Sequence, residues 1–246
     1  MTPEPLKTDS LHDWLLTPAG QYALAWEQMQ CDRAVADVFG FHALQLGMPS
    51  LNALQNNRIP HRWLGCNSLP QASTLGSGLL LTASHALPLA DGSLDLVVLP
   101  HTLELSSDPH ATLREVERVL VPEGRLVILG FNPTSLWGIK PRWRHDAQDL
   151  GQPIGQWRLR DWLQLLSFEV ASNQLGCYRP AFRSERWLQR MAWMDTAGAR
   201  WWPILGAVYC MVAIKRVRGM RLMGPAWKRP AARQARAVTT ASKGME

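Results

Sequence analysis

Residues 91–132, DGSLDLVVLPHTLELSSDPHATLREVERVLVPEGRLVILGFN, decide the fold of this chain. Leu94 to Leu99 is a short, largely apolar run without helical periodicity, which is typical of a strand buried on both faces. Asp108 followed by Pro109 is a favoured helix start, with the acid as N-cap and the proline at the first helical position. Arg125 to Phe131 is a second apolar run. The order strand, helix, strand predicts two parallel strands joined by a right-handed crossover, with ligands bound at the carboxyl ends of the strands.

The segment between the two predicted strands has the period of an amphipathic helix. Leu113, Val116 and Leu120 recur on one face, so we expect them to pack on the core. The charged residues are expected at solvent or at the helix margins, and they are Arg114, Glu115, Glu117 and Arg118. Pro122-Glu123-Gly124 is predicted to end the helix before the second strand begins.

Two motifs in this region resemble the class I S-adenosylmethionine (SAM)-dependent methyltransferases of the type 11 group. The first leads into strand four of that family and consists here of Leu87-Pro88, Asp91-Gly92-Ser93 and Asp95. The second precedes strand five and consists of Leu113, Glu115, Arg118-Val119-Leu120, Pro122 and Gly124. The clear resemblance covers about residues 80–132. It implies an α/β, three-layer Rossmann-like fold, with a mostly parallel seven-stranded sheet and an antiparallel last strand.

Composition indicates a globular protein with one sizeable core, since 46% of the 246 residues are hydrophobic and 19% are charged. Residues 1–13 are polar and hold three acids, so no signal sequence is expected there. The longest uncharged apolar stretch, Pro203 to Ile214, has 12 residues, whereas a membrane span needs about 20. We interpret it as a buried strand, and we expect a cytoplasmic protein without membrane contact. Four cysteines without a C-x-x-C pair predict reduced thiols and no metal site.

The net charge of +6 is concentrated at one end of the chain. Residues 215–246 hold nine Lys or Arg and one acid, whereas the rest of the chain holds 17 basic and 19 acidic residues. The body is therefore nearly neutral, and the basic tail is predicted to be disordered. Two interpretations stay open: contact with nucleic acid or another acidic partner, and a solvated tail that only aids solubility.

We predict a helical segment at 1–40, a methyltransferase-like domain at 41–217 with an insertion at about 177–202, and the basic tail at 218–246. The helical segment is predicted to break at Thr17-Pro18 and to end at Gly40. The further predicted elements are strands at Ala43–Leu46, His61–Leu64 and Leu79–Thr82, a long loop or lid at 133–155, a helix at Arg160–Leu166, and antiparallel strands at Phe168–Ser172 and Leu205–Ile214. Most of the twelve tryptophans in the chain are expected to pack their apolar faces on the core, with a stacking site as the alternative.

The resemblance implies a SAM site whose glycine-rich loop is degenerate. In Gly47-Met48-Pro49-Ser50-Leu51 the first glycine is kept, but Pro49 and Leu51 stand where the family has its second and third. Asn67 replaces an acid at the end of strand two, and Ala83 replaces one before the Leu-Pro pair. SAM is therefore expected either to bind weakly in an altered pose or not to bind. The implied cofactor contacts are Gly47, Met48, Asn67, Ala83, Ser84, Leu99 and Pro100.

His101, in the loop after strand four, is a candidate general base, with a loop histidine satisfied by the backbone as the alternative. Candidate substrate residues are Asn132, Arg142 and Arg144. The sequence thus favours a SAM-dependent methyltransferase of unknown acceptor. The alternative is a non-catalytic methyltransferase-like module that binds RNA or a protein through its basic tail. A dinucleotide oxidoreductase is the least favoured class, because the chain has no G-x-G-x-x-G motif.

Overall fold

Seven strands form one sheet in a computed structural model that describes residues 7–67, 78–139, 151–182 and 184–216. The strands are β1 His42–Leu46, β2 His61–Cys66, β3 Gly78–Leu81, β4 Leu94–Pro100, β5 Leu120–Phe131, β6 Phe168–Gly176 and β7 Val208–Lys215. Their order is β3-β2-β1-β4-β5-β7-β6, and β7 runs antiparallel to both of its neighbours. The predicted mostly parallel sheet with an antiparallel last strand is confirmed. Residues 140–150 of the predicted lid, with Arg142 and Arg144, and the tail from 217 onward lie outside the described residues.

Helices cover both faces of the sheet. They are α1 Lys7–Leu15, α2 Pro18–Val35, α3 Thr102–Leu105, α4 Pro109–Val119, α5 Leu136–Ile139, α6 Gln156–Leu165, α7 Glu185–Arg190 and α8 Trp193–Trp201. Side chains of β4 alternate between the faces. Leu96 and Val98 pack with α1 and α2, whereas Val97 and Leu99 pack with α4 and α6. In the described ranges, no helix is long and apolar enough to cross a membrane.

The region that decides the fold adopts the predicted strand, helix and strand. The Asp108 carboxylate accepts a hydrogen bond from the Ala111 N–H at 2.9 Å and so caps α4. Leu113 and Val116 are fully buried. The turn at Pro122-Glu123-Gly124 lies inside β5, where Glu123 has φ +64 and the pairing with β4 jumps between Leu120 and Arg125. The helix therefore ends at Val119, and the turn is an irregularity of the strand.

Three predicted boundaries were wrong. The second N-terminal helix ends at Val35 instead of Gly40, because the Asn57 amide donates hydrogen bonds to the carbonyls of Val35 and Val38 at 2.6 and 3.1 Å. The predicted loop at 133–155 begins with the short helix α5. The strand expected from Leu205 starts at Val208, because residues 203–205 form a turn of 3₁₀ helix beginning with a proline.

The two family motifs meet in one hydrogen-bonded cluster. The Arg118 guanidinium donates to the carbonyls of Leu87 and Leu89 at 3.1 and 2.9 Å, and to the carboxylates of Asp91 and Glu115. Glu115 in turn accepts from the Leu87 N–H at 3.1 Å. Arg118 and Glu115 thus lie at the helix margin, one of the two places expected for them. They fix α4 against the segment that leads into β4, which gives these motif residues a structural role.

We predict that Arg118→Ala lowers the free energy of unfolding by about 1–3 kcal/mol, because two backbone carbonyls and two carboxylates lose a charged donor. The arginine side chain is one-third exposed, so solvent screening keeps the loss moderate. Urea denaturation followed by circular dichroism measures it. Arg114→Ala is the matched control, since Arg114 is exposed on the same helix. Equal losses in the two variants would contradict the structural role of Arg118.

Candidate cofactor and active site

The strand order reverses between β1 and β4, which are parallel neighbours at the centre of the sheet. Such a reversal leaves a crevice at the carboxyl ends of the two strands, because the following loops depart in opposite directions. Here those ends are Leu46 and Pro100. The Thr102 hydroxyl donates to the Leu46 carbonyl at 2.5 Å, so the two loops are held together across the crevice.

The loop after β1 is organised by Gln45, a residue that the sequence analysis missed. Its side chain is fully buried, and its amide nitrogen lies 3.2, 3.0 and 2.8 Å from the carbonyl oxygens of Gly47, Met48 and Leu51. Its amide oxygen accepts from the Ala53 N–H at 3.0 Å. A glutamine between two leucines of a buried strand was the available signal, since a buried amide needs hydrogen-bond partners.

Left-handed backbone at Gly47 and Met48 turns the loop away from β1, with φ +76 and +46. Glycine adopts such angles without strain, whereas other residues rarely do. Met48 and Leu51 are buried in the core cluster that includes Leu11 and Leu15 of α1. The Leu51 side chain thus packs in the core. At this position, the departure from the glycine pattern is accommodated by core packing.

Neutral polar groups follow β2 and β3 at the same edge of the sheet as the crevice. Asn67 is exposed immediately after β2. Ala83 and Ser84 follow β3, and the Ser84 hydroxyl lies 3.1 Å from that of Thr112. Leu99 and Pro100 are buried in β4, so contacts with a ligand from these two residues would come from the backbone. An amide and a hydroxyl fit the uncharged ribose and adenine of SAM, although they bind a diol less strongly than a carboxylate.

His101 lies at the end of β4 between two buried carboxylates. Its Nε2 is 2.9 Å from Glu27 of α2, and its Nδ1 is 2.7 Å from Glu104. All three side chains are at most 4% exposed. Glu104 also accepts from the Phe131 N–H at 2.6 Å, which connects the cluster to the end of β5. His101 has φ +53, so a left-handed backbone directs its ring between the two acids.

The electrostatics of this cluster favour an imidazolium cation. Burial alone would lower the pKa of His101, but the charges and hydrogen bonds of Glu27 and Glu104 outweigh it and raise that pKa to about 10. Burial raises the pKa of Glu104, and its contacts with His101 and Phe131 partly oppose the rise. A protonated imidazole has no lone pair with which to accept a proton. The arrangement therefore does not favour the predicted general-base role of His101.

Three buried thiols surround the same cluster. Burial is the largest cause that raises the pKa of Cys31, Cys177 and Cys210, in the last case to about 12. The negative charge of Glu27 adds to the rise. Cys66 is also buried, and all four cysteines are free. Thiols with raised pKa values stay protonated near neutrality and are poor nucleophiles.

Asn132 ends β5 with its side chain engaged inside the protein. Its amide nitrogen donates to the carbonyls of Ile204 and Gly206 at 2.8 and 2.9 Å, and its amide oxygen accepts from Thr134. The structure places Asn132 1% exposed. These bonds favour a role for Asn132 in ending the strand over the predicted contact with a substrate.

A cavity of about 480 Å³ lies between the start of α2 and α7. Tyr22 and Arg179 form its polar side. The Tyr22 hydroxyl donates to Asp195, while the Arg179 guanidinium pairs with Asp195 at 2.8 Å and stacks 4.6 Å from the centre of the Tyr22 ring. Leu16 and Leu188 supply apolar walls.

Comparisons with known proteins agree with this geometry. Residues 66–128 match the family model described as a methyltransferase domain. The chain is 32% identical over 210 residues to "Uncharacterized protein YafS" of Escherichia coli (strain K12), covering 82% of this chain and 80% of that protein. A chain from the complex between the Haloferax volcanii Trm112 methyltransferase activator and a methyltransferase superimposes with a TM-score of 0.62 at 16% identity, over 86% of this chain and 98% of that one. Residues 66–128 belong to the methyltransferase-domain family, and the sheet has the fold of the class I SAM-dependent methyltransferases.

A SAM-dependent methyltransferase of Thermotoga maritima gives a TM-score of 0.60 at 16% identity, over 83% of this chain and 94% of that one. At such identities the likeness to solved structures shows the fold alone. The protein thus shares the sheet and its crevice with the methyltransferase fold. The loop supported by Gln45 and the buried Glu27–His101–Glu104 cluster are observed in the structure of this protein itself.

We predict that replacing the buried cation changes how stability depends on pH. A raised folded-state pKa means that His101 stabilises fully below its unfolded value near 6.5, and that this contribution is lost as pH rises toward 10. His101→Asn keeps a residue that tolerates the left-handed backbone but removes the cation. We expect a loss of about 3–5 kcal/mol at pH 7 that shrinks toward pH 10, measured by urea unfolding.

His85→Asn, at an exposed histidine, is the control and is expected to follow the wild type at every pH. A constant difference between the wild type and His101→Asn from pH 7 to pH 10 would show that His101 is neutral in the folded protein.

Proposed function

We propose that this methyltransferase binds SAM at the crevice between β1 and β4 and transfers its methyl group to an acceptor. The observation that carries the proposal is the left-handed Gly47 at the carboxyl end of β1, where the strand order reverses. Gly47 and Met48 would approach the methionine half of SAM through their backbone. Asn67, Ala83 and Ser84 would contact the adenosine half, and Leu99 and Pro100 would border it. SAM itself supplies an activated methyl group.

Methyl transfer from SAM is an in-line displacement, so the protein contributes mainly by positioning the two reactants. The Glu27–His101–Glu104 cluster supports such a role, because it joins α2 to the ends of β4 and β5. We therefore propose that His101 is a positioning residue. The acceptor is not identified, and Arg142 and Arg144 remain predicted contacts for it.

For the basic tail we propose contact with an acidic partner such as RNA. Lys215 and Arg216 are already engaged in the body of the protein. Lys215 donates to the carbonyls of Glu117 and Leu120 at 2.5 and 2.9 Å, and Arg216 pairs with Glu123 and Glu169. The contact would therefore rest on the basic residues from Arg218 onward.

We predict that isothermal titration detects SAM and its demethylated product binding to the wild type. Gly47→Ala should weaken binding about tenfold or more, because an alanine Cβ strains a φ of +76 and shifts the loop. Gly92→Ala is the matched control: Gly92 also has a positive φ, +58, with open space around it, but it precedes β4 at the opposite edge of the sheet. Absence of heat and of a thermal shift with millimolar SAM would contradict the proposal.

We predict that deleting residues 219–246 weakens binding of single-stranded RNA and reduces its salt dependence, since the deletion removes most of the basic tail. Fluorescence anisotropy at increasing salt measures both quantities. Retention of the SAM titration serves as the control for folding. Unchanged RNA affinity would leave the tail without this role.

A further inference from the structure

The insertion between β6 and β7 exposes three tryptophans. Trp187 is 51% exposed, Trp193 59% and Trp201 75%, and Ile204 follows at 55%. Most tryptophans of the chain are expected to pack on the core, and these three are exceptions. Burial of one aromatic side chain is worth several times the energy of an ordinary surface contact, so a cluster of exposed ones indicates an interaction site.

Contacts on the inner side fix which side of α7 and α8 faces outward. Leu188 is 4% exposed and lines the cavity, while the neighbouring Trp187 points away from it. In α8, Gly198 lies against Tyr178, and Asp195 is bonded to Tyr22 and Arg179. The two helices therefore hold a defined orientation on the body of the protein.

The outward side is positively charged. Arg186, Arg190 and Arg200 are exposed, and the Arg190 guanidinium lies 5.8 Å from the ring of Trp187. Of the two acids in these helices, Asp195 pairs with Arg179, whereas Glu185 accepts from the neutral Gln189 amide at 3.1 Å and keeps its charge, so the three arginines outnumber the one unpaired acid. We call Trp187, Trp193, Trp201, Arg186, Arg190 and Arg200 the tryptophan–arginine surface.

We propose that the tryptophan–arginine surface docks on an anionic lipid bilayer, which replaces the expectation of a protein without membrane contact. Tryptophan prefers the boundary between acyl chains and water, where its ring is buried and its N–H stays hydrated. Arginine beside it pairs with anionic headgroups and keeps its aliphatic stem in the apolar zone. Helices of six and nine residues lie in the plane of the interface, since neither is long enough to span a bilayer.

Charge and shape favour this occupant over two others. The basic tail carries the same sign as the surface, so electrostatic repulsion opposes its folding back over the arginines. More than half of each tryptophan stands clear of the protein, a geometry that suits a deformable lipid surface better than a rigid complementary groove. Leu16, which is 66% exposed, borders the same cavity as Leu188 of α7. Docking would therefore bring Leu16 close to the bilayer as well.

Vesicle sedimentation tests this proposal without SAM, so its outcome is independent of the proposed methyl transfer. The full chain is mixed with phosphatidylcholine vesicles that contain either no anionic lipid or about 30% phosphatidylglycerol. We expect binding to the anionic vesicles and a blue shift of tryptophan fluorescence. Trp193→Ser with Trp201→Ser should lower the apparent affinity about tenfold or more. Replacing Arg186, Arg190 and Arg200 by Gln should weaken the binding and reduce its salt dependence.

Trp157→Ser is the matched control. Trp157 is 66% exposed but belongs to α6, which packs on the opposite face of the sheet, so this variant should bind like the wild type. All variants keep the basic tail, whose attraction to anionic lipid therefore cancels in the comparison. Equal binding of the wild type and the Trp193/Trp201 double variant would overturn the proposal. So would a double variant that loses affinity for single-stranded RNA but not for vesicles.

Discussion

The His101 ring, placed between the carboxylates of Glu27 and Glu104, holds together the parts of this protein that surround its crevice. His101 at the end of β4 contacts Glu27, 74 positions earlier in the chain, and Glu104, three positions later. The Glu104 carboxylate also accepts from the Phe131 N–H, and the Glu104 backbone carbonyl accepts from the Gln152 N–H at 2.9 Å. A buried charge without its partner costs several kcal/mol, so these elements are fixed relative to one another as a set. The cluster gives the crevice its geometry before any ligand arrives.

The crevice differs from its family mainly in where its polarity lies. In the family pattern, carboxylates contact the cofactor. In this chain the buried acids Glu27 and Glu104 contact His101 instead, and Asn67 and Ser84 offer an amide and a hydroxyl to the proposed SAM site. The loop after β1 shows the same substitution of internal for external contacts. Gln45 satisfies carbonyls of Gly47, Met48 and Leu51 from below, so the loop keeps its shape with one glycine instead of three. The expected consequence is a well-ordered site with modest affinity.

Local pattern was sufficient for the strands, for α4 and for its Asp108 cap, because these depend on residues within a few positions of one another. The resemblance of the two motifs to a known family also predicted the mostly parallel seven-stranded sheet with its antiparallel last strand. Contacts over long sequence separations were not predictable in this way. Nothing in the sequence of α2 distinguishes Glu27 from the polar residues around it. Its contact with His101 forms only when α2 packs across β4. The exposure of the three tryptophans was not predictable for a different reason. An amphipathic ring is stable either in a core or at an interface, and composition alone does not distinguish the two.

The insertion that carries those tryptophans leaves and rejoins the sheet at a single rung of the β6–β7 ladder, where Gly176 pairs with Val208. The whole excursion is therefore topologically a long hairpin connection. Its length and sequence can change through evolution while every strand keeps its register and the crevice at β1 and β4 keeps its shape. In this architecture the exposed surface of the insertion can therefore evolve independently of the crevice at β1 and β4.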